Sequence, residues 1–185
     1  MKSIPTITTQ RLTLGALTAS DIPTIVSYAG NINIAKNLLN LPHPYQEKDA
    51  IFWLNMIHQG WSDESMCIFG IRSQETKQFI GGVGLHINKS FSRGELGYWI
   101  GEPHWGKGYM SEALGAIIKY GFEEKKLHKI YAIHFLDNPA SGKVMIHNGM
   151  VKEGEFKEHV KNMDGYKDVA QYGLTRKQYD TNRKK

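Results

Sequence analysis

Two glycines flank a lysine in Trp105-Gly106-Lys107-Gly108-Tyr109-Met110, directly ahead of a helical stretch that starts Ser111-Glu112-Ala113-Leu114. Glycines there let the backbone approach a ligand with no Cβ in the way. N–H groups that converge at a helix N-terminus can hold an anion. The chemistry this implies is phosphate binding by the amides from Gly106 to Met110, with Lys107 adding charge. Two phosphate-binding patterns come close and fail. Gly101 to Lys107 fits the first seven positions of the P-loop pattern, but Gly108 stands where the magnesium-binding hydroxyl belongs. An NTPase without that hydroxyl loses the Mg²⁺ that neutralises its phosphates. Gly106 and Gly108 begin a dinucleotide fingerprint, but Ser111 replaces its third glycine and the loop opens no early β-α-β unit.

A second candidate cluster follows the loop. Asn138 and Ser141 are three residues apart and share a helix face. Asn138 reads as a helix cap with Pro139 at the first helical position, and capping alone would account for both. Glu95 alternates with Gly97 and Trp99 on one face of a strand. Glu112, in a first helical turn, reads as a complement to the helix dipole. Cys67 lies in an apolar run and reads as buried. The eight histidines show no zinc-spaced pair, so no metal is expected.

These residues need elements to hold them. Arg11–Thr18 reads as a strand, and Ser20 as the cap of a helix through about Tyr28. A short helical piece ends at Pro42 and Pro44. Gln46 to about Gln59 is helical, with Ile51, Leu54 and Ile57 at helical spacing. Phe52, Trp53 and Trp61 cluster in and after it. Met66–Ser73 and Phe79–Ile87 read as a strand pair and Gly94–Ile100 as a further strand, with glycine at 97 suiting a bulge or a close approach. Met110, Ala113, Leu114, Ile117 and Ile118 mark one face of a long helix ending near Lys126. Lys129–Leu136 is a strand, Asn138–Asn148 a short helix, and the chain closes on two strands in 150–160 and 166–175. The order is β-α-α-β-β-β-α-β-α-β-β, an α/β (α+β) fold with a mixed sheet and helices on both faces.

With 185 residues, the chain suffices for one domain over 1–185, its core at about 9–175. Hydrophobic residues at 41% and charged residues at 22% fit a soluble globular protein. No stretch approaches the roughly 20 apolar residues of a membrane helix, and no run suits a signal peptide. One cysteine points to a reducing compartment, so the cytoplasm is expected. Part of the net charge of +5 lies in the basic tail, Thr175 to Lys185, read as a frayed end. No base-reading motif with interleaved aromatics is present, so no nucleic-acid partner is expected.

Strand, Trp-Gly-Lys-Gly-Tyr-Met loop and helix together resemble the pyrophosphate loop of the GCN5-related N-acetyltransferases (GNAT), in particular the branch of ribosomal-protein alanine and serine N-acetyltransferases (RimJ/RimL-like). The resemblance runs from about Thr9 to Thr175. It includes Thr9-Gln10-Arg11-Leu12 at the start, Gly94–Ile100 before the loop and Asn138–Met150 after it. In that family the loop reads roughly Q/R-x-x-G-x-G/A; Trp105, Gly108 and Met110 take its marked positions, and only the central glycine agrees strictly.

The resemblance implies a mostly antiparallel sheet of about seven strands and direct acetyl transfer from acetyl-CoA to a primary amine. It implies that Trp105, Gly106, Lys107, Gly108, Tyr109 and Met110 meet the cofactor pyrophosphate. It further implies that Tyr98, Trp99 and Ile100 offer backbone groups to the pantetheine arm, because their strand splays from its neighbour. Asn138 would bind the same arm and Lys143 a cofactor phosphate. Many relatives carry a Tyr general acid seven residues after this Asn; here that position is Met145. The ribosomal-protein branch has Ser three residues after the Asn, so Ser141 would assist the leaving thiolate. Glu95 is the carboxylate placed to help deprotonate the amine, yet strand rise sets it about 13 Å from Trp99, so it would work through water. The acceptor is a protein N-terminus or a small-molecule amine such as a polyamine, aminoglycoside or amino acid. A non-catalytic acyl-CoA sensor and a nucleotide-binding module are the readings outside this class. Phe52, Trp53 and Trp61 either line an acceptor pocket or pack in the core. No membrane partner is expected, and a homodimer is left open.

Overall fold

The computed structural model describes residues 4–39 and 41–183. In chain order these form β1 (Ile7–Thr8), β2 (Leu12–Gly15), α1 (Ile22–Ala29), α2 (Ile32–Ala35), α3 (Glu47–Asp63), β3 (Met66–Ser73), β4 (Phe79–Asn88) and β5 (Arg93–Ile100). After these come α4 (Tyr109–Glu123), β6 (Lys129–Phe135), α5 (Pro139–His147), β7 (Val151–Asn162), β8 (Gly165–Thr175) and α6 (Arg176–Asn182). The strands build one eight-stranded sheet in the order β1-β2-β3-β4-β5-β6-β8-β7. The sheet has one strand more than the expected seven, because the two-residue β1 pairs Ile7 with Leu14 and Thr8 with Thr13.

Period-two alternation gives the sheet two apolar faces. Cys67, Phe69 and Ile71 of β3, with Leu96 and Ile100 of β5, pack under α4. Ile68 and Phe79, with Trp99 beside them, face the cluster built from α1 and α3. On α4, Met110, Ala113, Leu114, Ile117, Ile118, Gly121 and Phe122 are buried, at the spacing of one helix face. Full burial of side chains such as Leu114 and Ile117 contributes roughly 1.5–3 kcal/mol each. Cys67 is fully buried in this cluster.

The β5–β6 pair is the one parallel pair among the described residues, and it is short. Arg93, Gly94 and Glu95 pair with Lys129, Ile130 and Tyr131, and there the ladder stops. β5 continues against β4 as far as Gly81–Ile100, and β6 continues against β8 as far as Phe135–Val169. From Leu96 onward the strands part, as the resemblance implied. Gly97 pairs with Gly84 in an unbroken register, so there is no bulge at this position.

Two further expectations are corrected. Thr18 caps a 3-10 turn over Ala19–Asp21, its backbone N–H donating to Asp21, and Asp21 rather than Ser20 stands at the N-cap of α1. The basic tail is no frayed end through residue 182: Thr175 caps α6 in a box with Gln178. Tyr179 of α6 stacks on Phe122, ring centroids 4.6 Å apart, and donates to Glu123. Lys184 and Lys185 lie outside the described residues.

Candidate active site

The loop between β5 and α4 is shaped by its glycines. Gly106 and Gly108 have φ of +73° and +76°, in the left-handed region that glycine enters without cost. A Cβ on Gly106 would meet nothing within 4 Å, so its glycine serves conformation rather than space. Gly108 is the N-cap of α4 and offers no capping side chain. Among the described residues nothing accepts from the N–H groups of Gly106, Lys107 or Gly108, and the first N–H groups of α4 have no intrahelical partner. The loop therefore presents a row of free donors at the positive end of a 15-residue helix. Trp105 anchors its start, the indole N–H donating to the Ile100 carbonyl at 2.9 Å.

A lock that the sequence reading missed holds the other side of the loop. Thr9 Oγ1 and the Arg11 backbone N–H donate to Glu112 Oε1 at 2.6 and 2.7 Å. Arg11 Nε donates to Glu112 Oε2 at 2.7 Å, and Arg11 Nη1 to the Lys107 carbonyl at 2.9 Å. The guanidinium also lies over the Tyr109 ring, 4.7 Å from its centroid. Burial pushes the Glu112 carboxyl up, but the hydrogen bonds from Thr9 and Arg11 outweigh it and hold the group below its usual range. Glu112 thus does more than complement a dipole. An exposed ion pair is worth only about 0.2–1 kcal/mol, so the lock matters for where it puts the Lys107 carbonyl.

Beside the loop lies a cavity of about 420 Å³. Every residue expected at the cofactor lines it except Lys107: Tyr98, Trp99, Ile100, Trp105, Gly106, Gly108, Tyr109, Met110, Asn138 and Lys143, and Ser141 joins them. Lys107 contributes its backbone, and its side chain is exposed. A second cavity of about 430 Å³ lies towards α1 and α3. The two share Asn37 and Leu38 after α2, and Tyr98, Trp99, Asn138 and Ser141 at the gap between β5 and β6.

At this junction the Tyr98 hydroxyl donates to the Ser141 carbonyl at 3.0 Å and shares a hydrogen bond of 2.8 Å with Ser141 Oγ, in which either oxygen can donate. The sequence had marked Tyr98 for its backbone alone. Burial pushes the Tyr98 hydroxyl up to about 12, against a smaller opposing effect of the Ser141 hydrogen bond, so it stays protonated at neutral pH. A Tyr98 proton turned from the Ser141 carbonyl to Ser141 Oγ leaves the Ser141 proton free to point elsewhere. Asn138 caps α5 through Oδ1, which accepts from the Ser141 N–H at 3.4 Å. Met145 is fully buried.

Glu95 is on the second cavity, not the first. It accepts from the Tyr131 hydroxyl at 3.0 Å and pairs across the strands with His86. His134 lines the same cavity. Its Nδ1 sits 2.7 Å from the Phe135 carbonyl, which can only accept, so in the neutral ring Nε2 carries the lone pair. The aromatic cluster divides: Trp53 lines the second cavity, Trp61 packs edge-on to Phe69 in the core, and Phe52 is exposed. No spacing in the sequence marked His86 or His134.

Residues 11–151 match the acetyltransferase (GNAT) domain family. The chain is 30% identical over 178 residues to the uncharacterized N-acetyltransferase p20 of Bacillus licheniformis, covering 94% of this chain and 98% of the relative. It is 32% identical over 124 residues to the [ribosomal protein uS5]-alanine N-acetyltransferase of Escherichia coli, 66% of this chain and 64% of that one. The solved structure of spermidine N-acetyltransferase from Vibrio cholerae, in complex with CoA and spermine, superposes with a TM-score of 0.79 at 26% identity, over 92% of this chain and 99% of the other. With its splayed β5–β6 pair and its glycine loop at the head of α4, the chain belongs to the GNAT family of acetyl-CoA-dependent N-acetyltransferases.

Proposed function

We propose that the acetyl group goes directly to a protein N-terminal α-amine, as in the ribosomal-protein enzymes. The observation that carries this reading is the charge of the second cavity: Glu95 is the one carboxylate among its lining residues. A polyamine brings several ammonium groups into its site, each needing a counter-charge or water. An N-terminal α-amine brings one, with a pKa near 8, and loses its proton far more readily than a lysine-like amine near 10. The likeness to the uS5-alanine enzyme supports the same reading.

The free N–H groups of Gly106 to Met110 receive the pyrophosphate of the donor. The unpaired edge of β5 from Leu96 to Ile100 pairs with the amides of its pantetheine arm. A backbone N–H there polarises the thioester carbonyl, a donor worth about 3 kcal/mol in the transition state. The amine lone pair forms the new C–N bond as the C–S bond breaks, and the sulfur leaves as a thiolate. Ser141 donates a hydrogen bond to that sulfur while accepting one from Tyr98. Glu95 takes the amine proton through water.

The test is intact-mass analysis after incubation with acetyl-CoA. A peptide with a free N-terminus gains one acetyl group, and the same peptide with a blocked N-terminus and an internal lysine gains none. Turnover of spermidine with both peptides inert overturns the assignment.

A further inference from the structure

We infer that the acceptor cavity selects N-termini whose first side chain is aromatic or large aliphatic. This rests on the N-terminal-amine reading and deepens it. Trp99 lines both cavities and packs against the cluster of α1 and α3 on the side of the second cavity, so its indole stands beside the path from donor to acceptor. That indole is the centre of an aromatic wall. Trp53 from α3, which also lines the second cavity, tilts against it with centroids 6.0 Å apart, and buried Phe79 from β4 backs it edge-on at 5.8 Å. Met56, 38% exposed, extends the wall.

The floor beneath is cleared by Gly82, the cross-strand partner of Trp99. A Cβ on Gly82 would lie 3.1 Å from Trp99 Nε1 and 3.4 Å from Trp53 Cη2. The glycine lets both indoles settle against the strand and stay open to the cavity. Indole surfaces left facing a cavity are apolar area that an apolar side chain covers at a gain. A first residue such as Asp would bring its carboxylate to the cavity that already holds Glu95. A first Ser would leave the wall uncovered.

The experiment uses the full chain and a peptide series identical except for the first residue: Phe, Leu, Ser, Asp and Lys. The expected result is a kcat/KM for Phe and Leu at least tenfold above Ser and Asp, the scale on which an apolar pocket discriminates. Trp53→Ala brings the ratios of kcat/KM for Phe and Leu over Ser down towards one, with acetyl-CoA affinity in place. Met56→Ser, a milder change, moves the ratio the same way if Trp53→Ala fails to fold. Equal kcat/KM across the series overturns the inference while the N-terminal reading stands, since every peptide is acetylated. A variant that lowers all peptides by the same factor also overturns it. Turnover of spermidine with no peptide acetylated overturns the underlying reading, and the inference with it.

Discussion

On the function proposed above, the two cavities would recognise their ligands with different parts of the chain. The cofactor side offers backbone: free N–H groups at Gly106 to Gly108 and the open edge of β5 after Glu95. The proposed acceptor side offers side chains gathered from α3, β4, β5 and β6, such as Trp53, His86, Glu95 and His134. Backbone recognition tolerates side-chain change but not conformational change. Side-chain recognition can be retuned one residue at a time while the cofactor site stays intact. A chain built this way can keep one acetyl donor and change its acceptor.

The largest expected effect is at the junction, where both modes meet. Ser141→Ala lowers kcat by about 10²-fold with little change in acetyl-CoA affinity, the size expected for loss of a positioned proton donor. Tyr98 holds its proton to about 12, so kcat shows no basic limb from this hydroxyl below about pH 10. A wild-type kcat in Ser141→Ala, with chemistry limiting turnover, leaves Ser141 as part of a cap.

Next comes the backbone mode. Gly108→Val places a β-branched residue at φ +76°, a conformation such residues rarely adopt, and its Cβ would stand 3.5 Å from Arg11 Nη2. Calorimetry should show acetyl-CoA affinity reduced at least tenfold, or about 1.4 kcal/mol. Lys107→Ala, which keeps the amide, should cost less than about threefold. If the two variants trade places, the loop binds by side-chain charge and the contrast between the cavities is lost.

Smaller effects sharpen the acceptor side. Glu95→Gln should lower kcat/KM, weakly for a peptide α-amine and more for a lysine-like amine, in line with the pKa difference of the two amines. Unchanged kcat/KM for both amines makes Glu95 a partner of Tyr131 alone. Cys67→Ala should keep the folded enzyme's turnover, and an acetyl adduct on Cys67 chased into product would replace direct transfer with a two-step route.

The smallest effect concerns Glu112. Its carboxyl titrates lower in the folded protein than in the unfolded chain. The stabilisation it gives is therefore complete above the unfolded value near 4.3 and is lost as pH falls through the folded value. Thermal melts of Glu112→Gln should lie slightly below wild type at pH 7 and converge with it in acid. A constant gap across pH would mean that packing, not charge, holds the lock.

What the sequence revealed follows the same division. The glycine loop, the strand before it and the Asn138–Ser141 turn are local, so residue order alone exposes them. The acceptor wall comes from residues dozens of positions apart, and Trp53 could not be told from its core-packed neighbour Trp61 until α3 was placed. The Arg11–Glu112 lock spans 101 residues, beyond any spacing rule. Tyr98 was legible as a strand residue, but its hydroxyl's partner depends on how close α5 comes to β5. The tail misled because its charges concealed a local signal, the Thr175–Gln178 box that starts α6.

The short β5–β6 ladder also bears on the order in which a growing chain becomes an enzyme. β3, β4 and β5 pair each with the next in sequence, so this meander closes from nearby contacts as it leaves the ribosome, while β2 reaches β3 across the intervening helices, Leu12 pairing with Ser73. β6, α5 and β8 follow, joined to the meander's sheet by three register pairs. α6 then fastens them from behind, Arg176 donating to the Phe122 and Leu127 carbonyls at the end of α4. Asn138 and Ser141 belong to this later part. On the mechanism proposed above, a nascent chain that has made the glycine loop still lacks the Ser141 hydroxyl and the Asn138 cap, so it would not spend acetyl-CoA before β6, α5 and β8 have docked.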